Sequence, residues 1–366
     1  MGVSSSLALN KFWIYNCGYS SKVTNLKHQI SSNTFPIKTR VTQMLWLSPL
    51  LLAIGLILLG GASGIVVSNI VAISEKRRLR KSVLSYLLVA FSTSLPELSV
   101  ATNAIIIGNM SVSLGDILGS NITNITLIIG TCLLLATIRH SNKGKITFKA
   151  EDTREFRTGL MLLSITLLIL LYLEYISRLI GVLLLGMFFG YSYLLLLRRK
   201  EDGESVPNSN VDQRVEKELL FTFAGVVGVI VGARLTVESA MEIATFFGIP
   251  ASIIGATLVA LGTSLPELVV DIKAALKDHF EITMGDIIGS CFLNSTLILG
   301  LLVTFTPFQI NILVLSDLIL FSVISNLLLW YFIDNGKMGS REGLVLLVIY
   351  IVNLLTILGI LILRSP

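Results

Sequence analysis

The segment "FSTSLPELSV" begins at Phe91, and the segment "LGTSLPELVV" begins at Leu261, 170 residues later. Each lies within a long apolar run and brings Thr, Ser, Pro and Glu into it. When residues 81–130 are aligned with residues 251–300 without a gap, 22 of 50 positions are identical. The chain therefore contains an internal duplication, and both copies keep its most polar cluster.

The composition around these segments is typical of a membrane protein. Of the 366 residues, 53% are hydrophobic and 14% are charged, and the mean hydropathy is +0.82. An apolar stretch of about 20 residues crosses a bilayer as a helix. Runs such as "LLLAIGLILLG" do not alternate in hydrophobicity, as the strands of a membrane barrel would. We predict an all-α polytopic membrane protein with ten transmembrane helices, at roughly 45–74, 82–108, 114–138, 158–173, 179–197, 218–246, 251–276, 284–306, 310–333 and 342–363.

The basic residues fall in alternate connections between these predicted spans. The connections at 75–81, 139–157, 198–217, 273–277 and 337–341 together hold twenty Lys and Arg residues. The other connections and the C-terminus hold only Arg178 and Arg364. The positive-inside rule places the basic connections in the cytoplasm and the C-terminus outside, so we expect a multi-pass protein of the cell membrane. The net charge of +5 is thus explained by topology and does not indicate a nucleic-acid partner.

Each half of the chain contains five predicted spans and one copy of the duplicated segment. The first half is residues 44–198 and the second is 218–366, and the polar stretch 199–217 reads as a cytoplasmic linker. Because five is an odd number, the second half enters the membrane from the opposite side. Two inverted five-helix repeats with polar, broken helices near the midplane are typical of secondary transporters.

Residues 1–43 form a polar N-terminal extension with five Lys or Arg and no acidic residue. Three interpretations remain open. The segment has the composition of a transit peptide, its "MGVSSS" start matches a myristoylation pattern, or Met44 is the working start and the extension is dispensable.

The duplicated segments place a glutamate and a proline near the middle of a predicted span. An ionised carboxylate at the centre of a membrane helix is unfavourable by about 2.5–3.5 kcal/mol, yet Glu97 and Glu267 occupy matching positions. Pro96 and Pro266 each remove a helical hydrogen bond and bend the helix. Broken backbone at this depth persists where it is packed by protein or lines a wet cavity, which predicts an ion-binding or substrate-binding site.

Oxygen atoms dominate the polar groups that helical spacing brings to the same faces. In the first half these are Ala90, Thr93 and Glu97, followed by Asp116, Ser120 and Asn124; the matching residues are Ala260, Thr263, Glu267, Asp286, Ser290 and Asn294. The three histidines lie outside the predicted spans. Oxygen ligands that include carboxylates suit hard cations, and Ca²⁺ in particular takes six to eight of them.

The motifs "STSLPEL…GDILGSNITNITLIIG" and "GTSLPEL…GDIIGSCFLNSTLILG" resemble the two α-repeats of the cation/Ca²⁺ exchanger superfamily, most closely its prokaryotic sodium/calcium exchangers. The resemblance implies that Glu97 and Glu267 bind the central ions. It also implies ion-binding roles for the residues before each glutamate and for the Gly-Ser serines, namely Ala90, Thr93, Ser94, Ala260, Thr263, Ser264, Ser120 and Ser290. The implied function is Ca²⁺/Na⁺ antiport by alternating access, without a resident cofactor.

The sequence departs from the family pattern at two kinds of position. Four residues after the second Gly-Ser serine the family commonly has Asp, whereas this chain has Asn294, matched by Asn124 in the first repeat. The usual Gly-Asn before the Gly-Ser motif is Gly-Asp here, which adds Asp116 and Asp286. These aspartates either cap helices or line the ion pathway, and the sequence does not decide between the two.

Three charged residues outside the matched set have simpler interpretations. Asp271 lies one turn after Glu267, but its counterpart is Ala101, so we expect it to meet headgroup water or Lys273. Glu238 lies four residues after Arg234, which predicts an ion pair between them.

Other functions remain as alternatives. The main one is a cation/proton exchanger of the same fold, and K⁺ is a further possible counter-ion. A channel would show no coupled flux. An intramembrane aspartyl protease needs a Tyr-Asp partner motif that the chain lacks, and a Ser-His enzyme needs an intramembrane histidine. We therefore expect no enzyme activity, and the sequence leaves stoichiometry, transport direction and oligomeric state open.

Overall fold

The computed structural model describes residues 34–76, 90–139, 146, 148, 150–172, 175–201, 216–309, 312–336 and 338–364. The chain divides into two compact units, residues 1–47 and 48–366. In the first unit the described residues belong to one helix, which begins at Thr34. Apart from the first part of this helix, all features below lie in the second unit.

Almost every described residue is helical, as expected of an apolar chain that must satisfy its backbone hydrogen bonds within a bilayer. The helices are α1 Thr34–Lys76, α2 Ala90–Thr93, α3 Leu95–Ile107, α4 Met110–Arg139, α5 Ala150–Tyr172, α6 Arg178–Glu201, α7 Glu216–Phe247, α8 Ala251–Thr263, α9 Leu265–Leu276, α10 Phe280–Phe305, α11 Ile312–Asp334 and α12 Ser340–Arg364. Three of them contain a π-helical turn, at Thr123–Ile128 in α4, Gly255–Val259 in α8 and Asn294–Ile298 in α10.

Six helices of the described residues are long and apolar enough to cross a membrane, and the bent pair α8–α9 makes a seventh. Their outer faces carry large exposed apolar side chains, such as Ile57 at 73% and Leu220 at 66% exposure. This confirms the prediction of an all-α, multi-pass membrane protein. The count of ten spans remains a prediction. The start of the predicted second span, most of the linker 199–217 and most of the extension 1–43 lie outside the described residues.

Two short backbone pairings connect loops that belong to different halves. Strands β1 (Tyr175–Ile176) and β2 (Phe308–Gln309) pair antiparallel, with Tyr175 opposite Gln309. Ile146 forms an isolated antiparallel bridge with Met338. The first pairing joins two connections poor in basic residues and the second joins two rich in them, so each pairing agrees with the alternation of charge in the sequence.

The helices that follow the two duplicated glutamates form the centre of the bundle. Within their apolar windows, 89% of the residues of α10 and 67% of those of α4 are buried, against 22–50% for the other single spanning helices. A helix buried on nearly all sides can present polar groups only to protein, ions or internal water. The oxygen-bearing residues of α4 and α10 therefore lie where a membrane protein can bind ions.

Helices α4 and α8 approach each other closely enough for their backbones to touch. A Cβ atom on Gly119 would lie 2.4 Å from the carbonyl oxygen of Ala256, and one on Gly255 would lie 2.2 Å from that of Val112. Only glycine allows such an approach, as in other membrane helix pairs that pack through small residues. The contact joins a helix of the first repeat to a helix of the second.

Candidate ion-binding site

Two broken helices position the central glutamates. The chain breaks at Ser94 between α2 and α3 and at Ser264 between α8 and α9, with nearly identical dihedral angles of −81°, 10° and −82°, 6°. Each break lies just before the proline of the motif, because proline cannot donate to the carbonyl four residues earlier. The bend between α8 and α9 is 45°. The predicted disruption of both helices is confirmed.

Glu97 and Glu267 lie in the first turn of α3 and α9, directly after the breaks. Both side chains are 0% exposed. None of their four carboxylate oxygens has a partner within 3.5 Å hydrogen-bond distance among the described residues, although the hydroxyls of Thr263 and Ser120 lie near Glu97. An ionised carboxylate in such a place is very costly unless another charge balances it. The first-turn position helps, because the positive end of a helix dipole favours negative charge.

The repeats exchange contacts through threonine and aspartate. The hydroxyl of Thr263, in the second repeat, donates to Oδ1 of Asp116 in the first at 2.9 Å. In the reverse direction, the hydroxyl of Thr93 donates to Oδ1 of Asp286 at 3.4 Å. The two contacts occupy matching positions. Each half therefore supplies a threonine hydroxyl that donates to the aspartate of the other half.

The Gly-Ser serines take part in the same crossed arrangement. The hydroxyl groups of Ser120 and Thr263 lie 3.2 Å apart, and those of Ser290 and Thr93 lie 3.3 Å apart. Ser120 also donates to Asp116 at 3.5 Å. These hydroxyls form two small clusters, each built from both repeats.

Asp116 and Asp286 are not helix caps. Helix α4 has Asn109 as its N-cap, with the side chain accepting from the backbone N–H of Ser111 at 3.2 Å, and α10 has His279. Each aspartate comes seven residues after that cap, within the helix, and is at most 1% exposed. Of the two interpretations that the sequence left open, capping is wrong.

Asn124 and Asn294 lie at the π-helical turns of α4 and α10. Each is 0% exposed, and its amide oxygen and nitrogen have no hydrogen-bond partner within the described part of the chain. A π-helical turn often marks a functional site, because it widens the helix locally. Both amides lie deep in the bundle. Close to them in sequence, a different amide joins the two repeats, because Asn121 Nδ2 donates to Ser295 Oγ at 2.7 Å.

The remaining predicted residues lie at the helix breaks. The hydroxyls of Ser94 and Ser264 are buried and have no partner among the residues described. The carbonyl oxygens of Ala90 and Ala260 each accept from the threonine hydroxyl three residues later at 3.2 Å and from the serine N–H four residues later at 3.1 Å. All fourteen predicted residues are at most 2% exposed.

The charge of this region is entirely negative in the described ranges. No Lys, Arg or His is among their buried residues, whereas four acidic residues of the predicted set are. The carboxylates of Glu97 and Asp116 lie close enough to repel each other when ionised, and so do those of Glu267 and Asp286. No three His, Cys, Asp or Glu residues of the described ranges cluster tightly enough to hold a metal alone. An ion bound here would therefore need hydroxyl, amide or carbonyl oxygens as well.

Two other predictions have different outcomes. Asp271 is 0% exposed, whereas Lys273 is exposed, so the expectation that Asp271 meets headgroup water or Lys273 is wrong. The predicted pair of Arg234 and Glu238 is confirmed, with Nε 2.9 Å from Oε1 and both side chains well exposed. The missed residue had one signal in the sequence, a carboxylate one turn from Glu267 inside an apolar span.

Comparison with known proteins identifies the family of this chain. The pattern of the family described as "Sodium/calcium exchanger protein" matches residues 47–197 and 217–359. The chain belongs to the sodium/calcium exchanger protein family. The two matched ranges correspond to the two halves, and the break between them falls at the predicted linker.

Two relatives match most of the chain. It is 31% identical over 357 residues to the sodium/calcium exchanger MaX1 of Methanosarcina acetivorans, a match that covers 86% of this chain and 99% of the relative. It is also 31% identical over 263 residues to the inner membrane protein YrbG of Escherichia coli, which covers 68% of this chain and 78% of that protein.

Solved structures of the sodium/calcium exchanger NCX_Mj share the fold of this exchanger-family chain. The structure soaked with Na⁺ and Sr²⁺ gives a TM-score of 0.62 at 28% identity, and covers 84% of this chain and 98% of that one. The structure soaked with Na⁺ and Ca²⁺ gives a TM-score of 0.60 at the same identity. The chain is a transporter of this family and not an enzyme.

Proposed function

We propose that this family member exchanges Ca²⁺ for Na⁺ across the membrane at one central site. The observation that carries the proposal is the burial of Glu97 and Glu267, whose four carboxylate oxygens have no protein partner in the described ranges. The ions named for MaX1 and for the NCX_Mj structures agree with this chemistry.

Charge balance explains why the two ions would compete. A bound Ca²⁺ neutralises the two central glutamates, and Na⁺ ions in sufficient number do the same. At these two carboxylates either set of cations balances the charge, but both sets together would place an excess of positive charge on the same oxygens in a medium of low dielectric constant, which is costly. Binding of one ion type would therefore displace the other, as antiport requires.

The ligands that we assign to the site come from both repeats. Carboxylates from Glu97 and Glu267 supply the charge at the centre, and the ten predicted residues without a carboxylate supply neutral hydroxyl, amide and carbonyl oxygens. Flexible sets of six to eight oxygens suit Ca²⁺. We assign Asp116 to the access route on one side of the glutamates and Asp286 to the route on the other side, because α4 and α10 run in opposite directions.

The crossed contacts offer a means of alternating access. Thr263 contacts Asp116 at 2.9 Å, while the matching contact of Thr93 with Asp286 is 3.4 Å. A rocking motion of one repeat against the other that shortened the longer contact and lengthened the shorter one would exchange the environments of the two aspartates. Inverted repeats are suited to such an exchange because the two end states are nearly equivalent.

The proposed orientation follows from the charge distribution. With the basic connections in the cytoplasm, the C-terminus lies outside the cell and α10 begins on the cytoplasmic side. The described loop pairings keep basic connections together, which supports this assignment. Labelling of single cysteines placed in the turns near residues 109 and 278, with a reagent that cannot cross the membrane, would test it. The first should react from outside and the second only after permeabilisation.

Flux measurements on purified protein in vesicles would test the proposed exchange. Vesicles loaded in turn with Na⁺, K⁺ or acid are diluted into medium without the loaded ion, and ⁴⁵Ca²⁺ uptake is recorded. We expect an outward Na⁺ gradient to drive uptake in the wild type and not in Glu267→Gln. Uptake driven by the proton gradient alone would favour the cation/proton exchanger, and uptake without any counter-ion would indicate a channel.

A further inference from the structure

One buried acid breaks the symmetry of the two repeats. Asp271 is four residues after Glu267 on α9, so the two side chains lie on the same face of the helix. The matching residue after Glu97 is Ala101. Asp271 is 0% exposed and Ala101 is 1% exposed. One side of the central site therefore carries a carboxylate that the other side lacks.

The surroundings of Asp271 include a second aspartate. The hydroxyl of Thr283 on α10 donates to the main-chain carbonyl of Asp271 at 3.2 Å, which holds α9 against α10. Asp286, three residues after Thr283, lies on the same face of α10. The carboxylates of Asp271 and Asp286 are within electrostatic range of each other.

The oxygens of this pair lack partners. Both carboxylate oxygens of Asp271 and Oδ2 of Asp286 have no hydrogen bond to any residue that the structure describes. The basic side chain nearest in sequence, Lys273, is exposed. Two buried carboxylates without a positive partner are strongly unfavourable, and a hard cation with oxygen ligands would satisfy both.

We propose that Asp271 and Asp286 bind a cation, Na⁺ or Ca²⁺, at a second site between the central glutamates and the turn at residues 277–279. Helix α9 runs from Glu267 toward this turn and α10 begins directly after it. The opposite access route has Asp116 and Ala101 at the matching positions, so it has no equivalent site. The proposal rests on the proposed function only for the identity of the cations.

Unequal cation affinity at the two membrane faces follows from this asymmetry. An ion entering from the face that carries the 277–279 turn would meet two carboxylates before the glutamates, whereas an ion entering from the other face would meet one. Opposite charges attract more strongly in the low-dielectric interior than in water. The half-saturating cation concentration should therefore be lower at the face with the turn.

Calorimetric titration of the purified full chain with Ca²⁺ separates the two sites without measuring transport. We expect two binding events in the wild type, one lost in Asp271→Asn and the other lost in Glu267→Gln. A titration of Asp271→Asn that matches the wild type would overturn the second site. Loss of all Ca²⁺ binding in Asp271→Asn would place this residue in the central site and would also overturn the proposal. Retention of both events in Glu267→Gln would count against the proposed central site alone.

Flux from each face provides the second measurement. In vesicles of known orientation, Asp271→Asn should raise the half-saturating Ca²⁺ concentration at the face with the turn by about tenfold or more, with less than a twofold change at the other face. The matched variant Ala101→Asp should lower that concentration at the other face, and it decides the question if Asp271→Asn does not fold. Equal changes at both faces in either variant would refute the asymmetry.

Discussion

Neutralising one central glutamate should alter stability in opposite directions with and without cations. In buffer without Na⁺ or Ca²⁺, Glu97→Gln and Glu267→Gln each remove a buried charge that has no protein partner among the described residues. Both variants should then unfold at a higher temperature than the wild type. With Ca²⁺ present the order should reverse, because the wild type binds the ion at the central site and the variants do not.

The size of the effect can be estimated from ligand linkage. A ligand at 100 times its dissociation constant stabilises the folded state by about 2.7 kcal/mol. A chain of this length gains about 2 °C for each kcal/mol, so the wild type should gain about 5 °C. Two unit charges about 4 Å apart at an effective dielectric constant of about 20 interact by about 4 kcal/mol, so one carboxylate and Ca²⁺ interact by about 8 kcal/mol. Even half of this is about 1000-fold in affinity. At the same Ca²⁺ concentration a variant would then gain less than about 0.1 kcal/mol from the central site.

The assay is thermal unfolding of detergent-purified protein in chelator and in Ca²⁺, with Glu281→Gln as the matched control. Glu281 is in the first turn of α10 but its side chain is 53% exposed, so its substitution should preserve the Ca²⁺-dependent shift. A merely structural glutamate would lower the unfolding temperature in both buffers when replaced. If the two variants keep the full Ca²⁺-dependent shift of the wild type, the assignment of the central site is wrong.

Three further substitutions or truncations test separate parts of the reasoning. Asn294→Asp replaces a fully buried amide with a carboxylate and should increase both the Hill slope for Na⁺ and the voltage dependence of ⁴⁵Ca²⁺ flux. Unchanged values would place Asn294 outside the coordination shell. A chain beginning at Met44 should insert and transport like the full chain, because the predicted spans and ligands all lie downstream, and lost flux would show that the extension is needed. Thr263→Val removes a 2.9 Å hydrogen bond to Asp116, which is worth about 1.5–3 kcal/mol when the acceptor is charged. It should lower the unfolding temperature more than Thr93→Val, which removes the 3.4 Å bond to Asp286. Equal decreases in unfolding temperature would contradict this.

The sequence predicted the central residues because their presence in a membrane is costly. Glu97 and Glu267 could be found from the repeat alone, since an acid kept twice at matching depths needs a reason. The helix breaks followed in the same way from Pro96 and Pro266. These predictions depend on local chemistry, which does not change with the packing of the bundle.

Features that depend on packing could not be predicted in this way. The role of Asp116 was undecided because the sequence does not show that α4 begins at Asn109. The contact of Thr263 with Asp116 requires α8 to lie against α4, which the close approach at Gly119 makes possible. The π-helical turns could not be predicted either, because one extra residue in a turn shifts the helical phase without giving the sequence a pattern of its own. Asp271 was misjudged because the reasoning relied on symmetry between the halves, and Ala101 is its counterpart.

The crossed threonine–aspartate contacts limit how such a chain can have evolved. A single half contains Thr93 and Asp116 or Thr263 and Asp286, but each of these threonines reaches the aspartate of the other half. An ancestor with one half could have built this arrangement only as a pair of copies inserted into the membrane in opposite directions. Gene fusion would then have joined the two halves in one chain, after which their sequences could diverge. Asp271, opposite Ala101, is a difference that two products of one unfused gene could never have acquired.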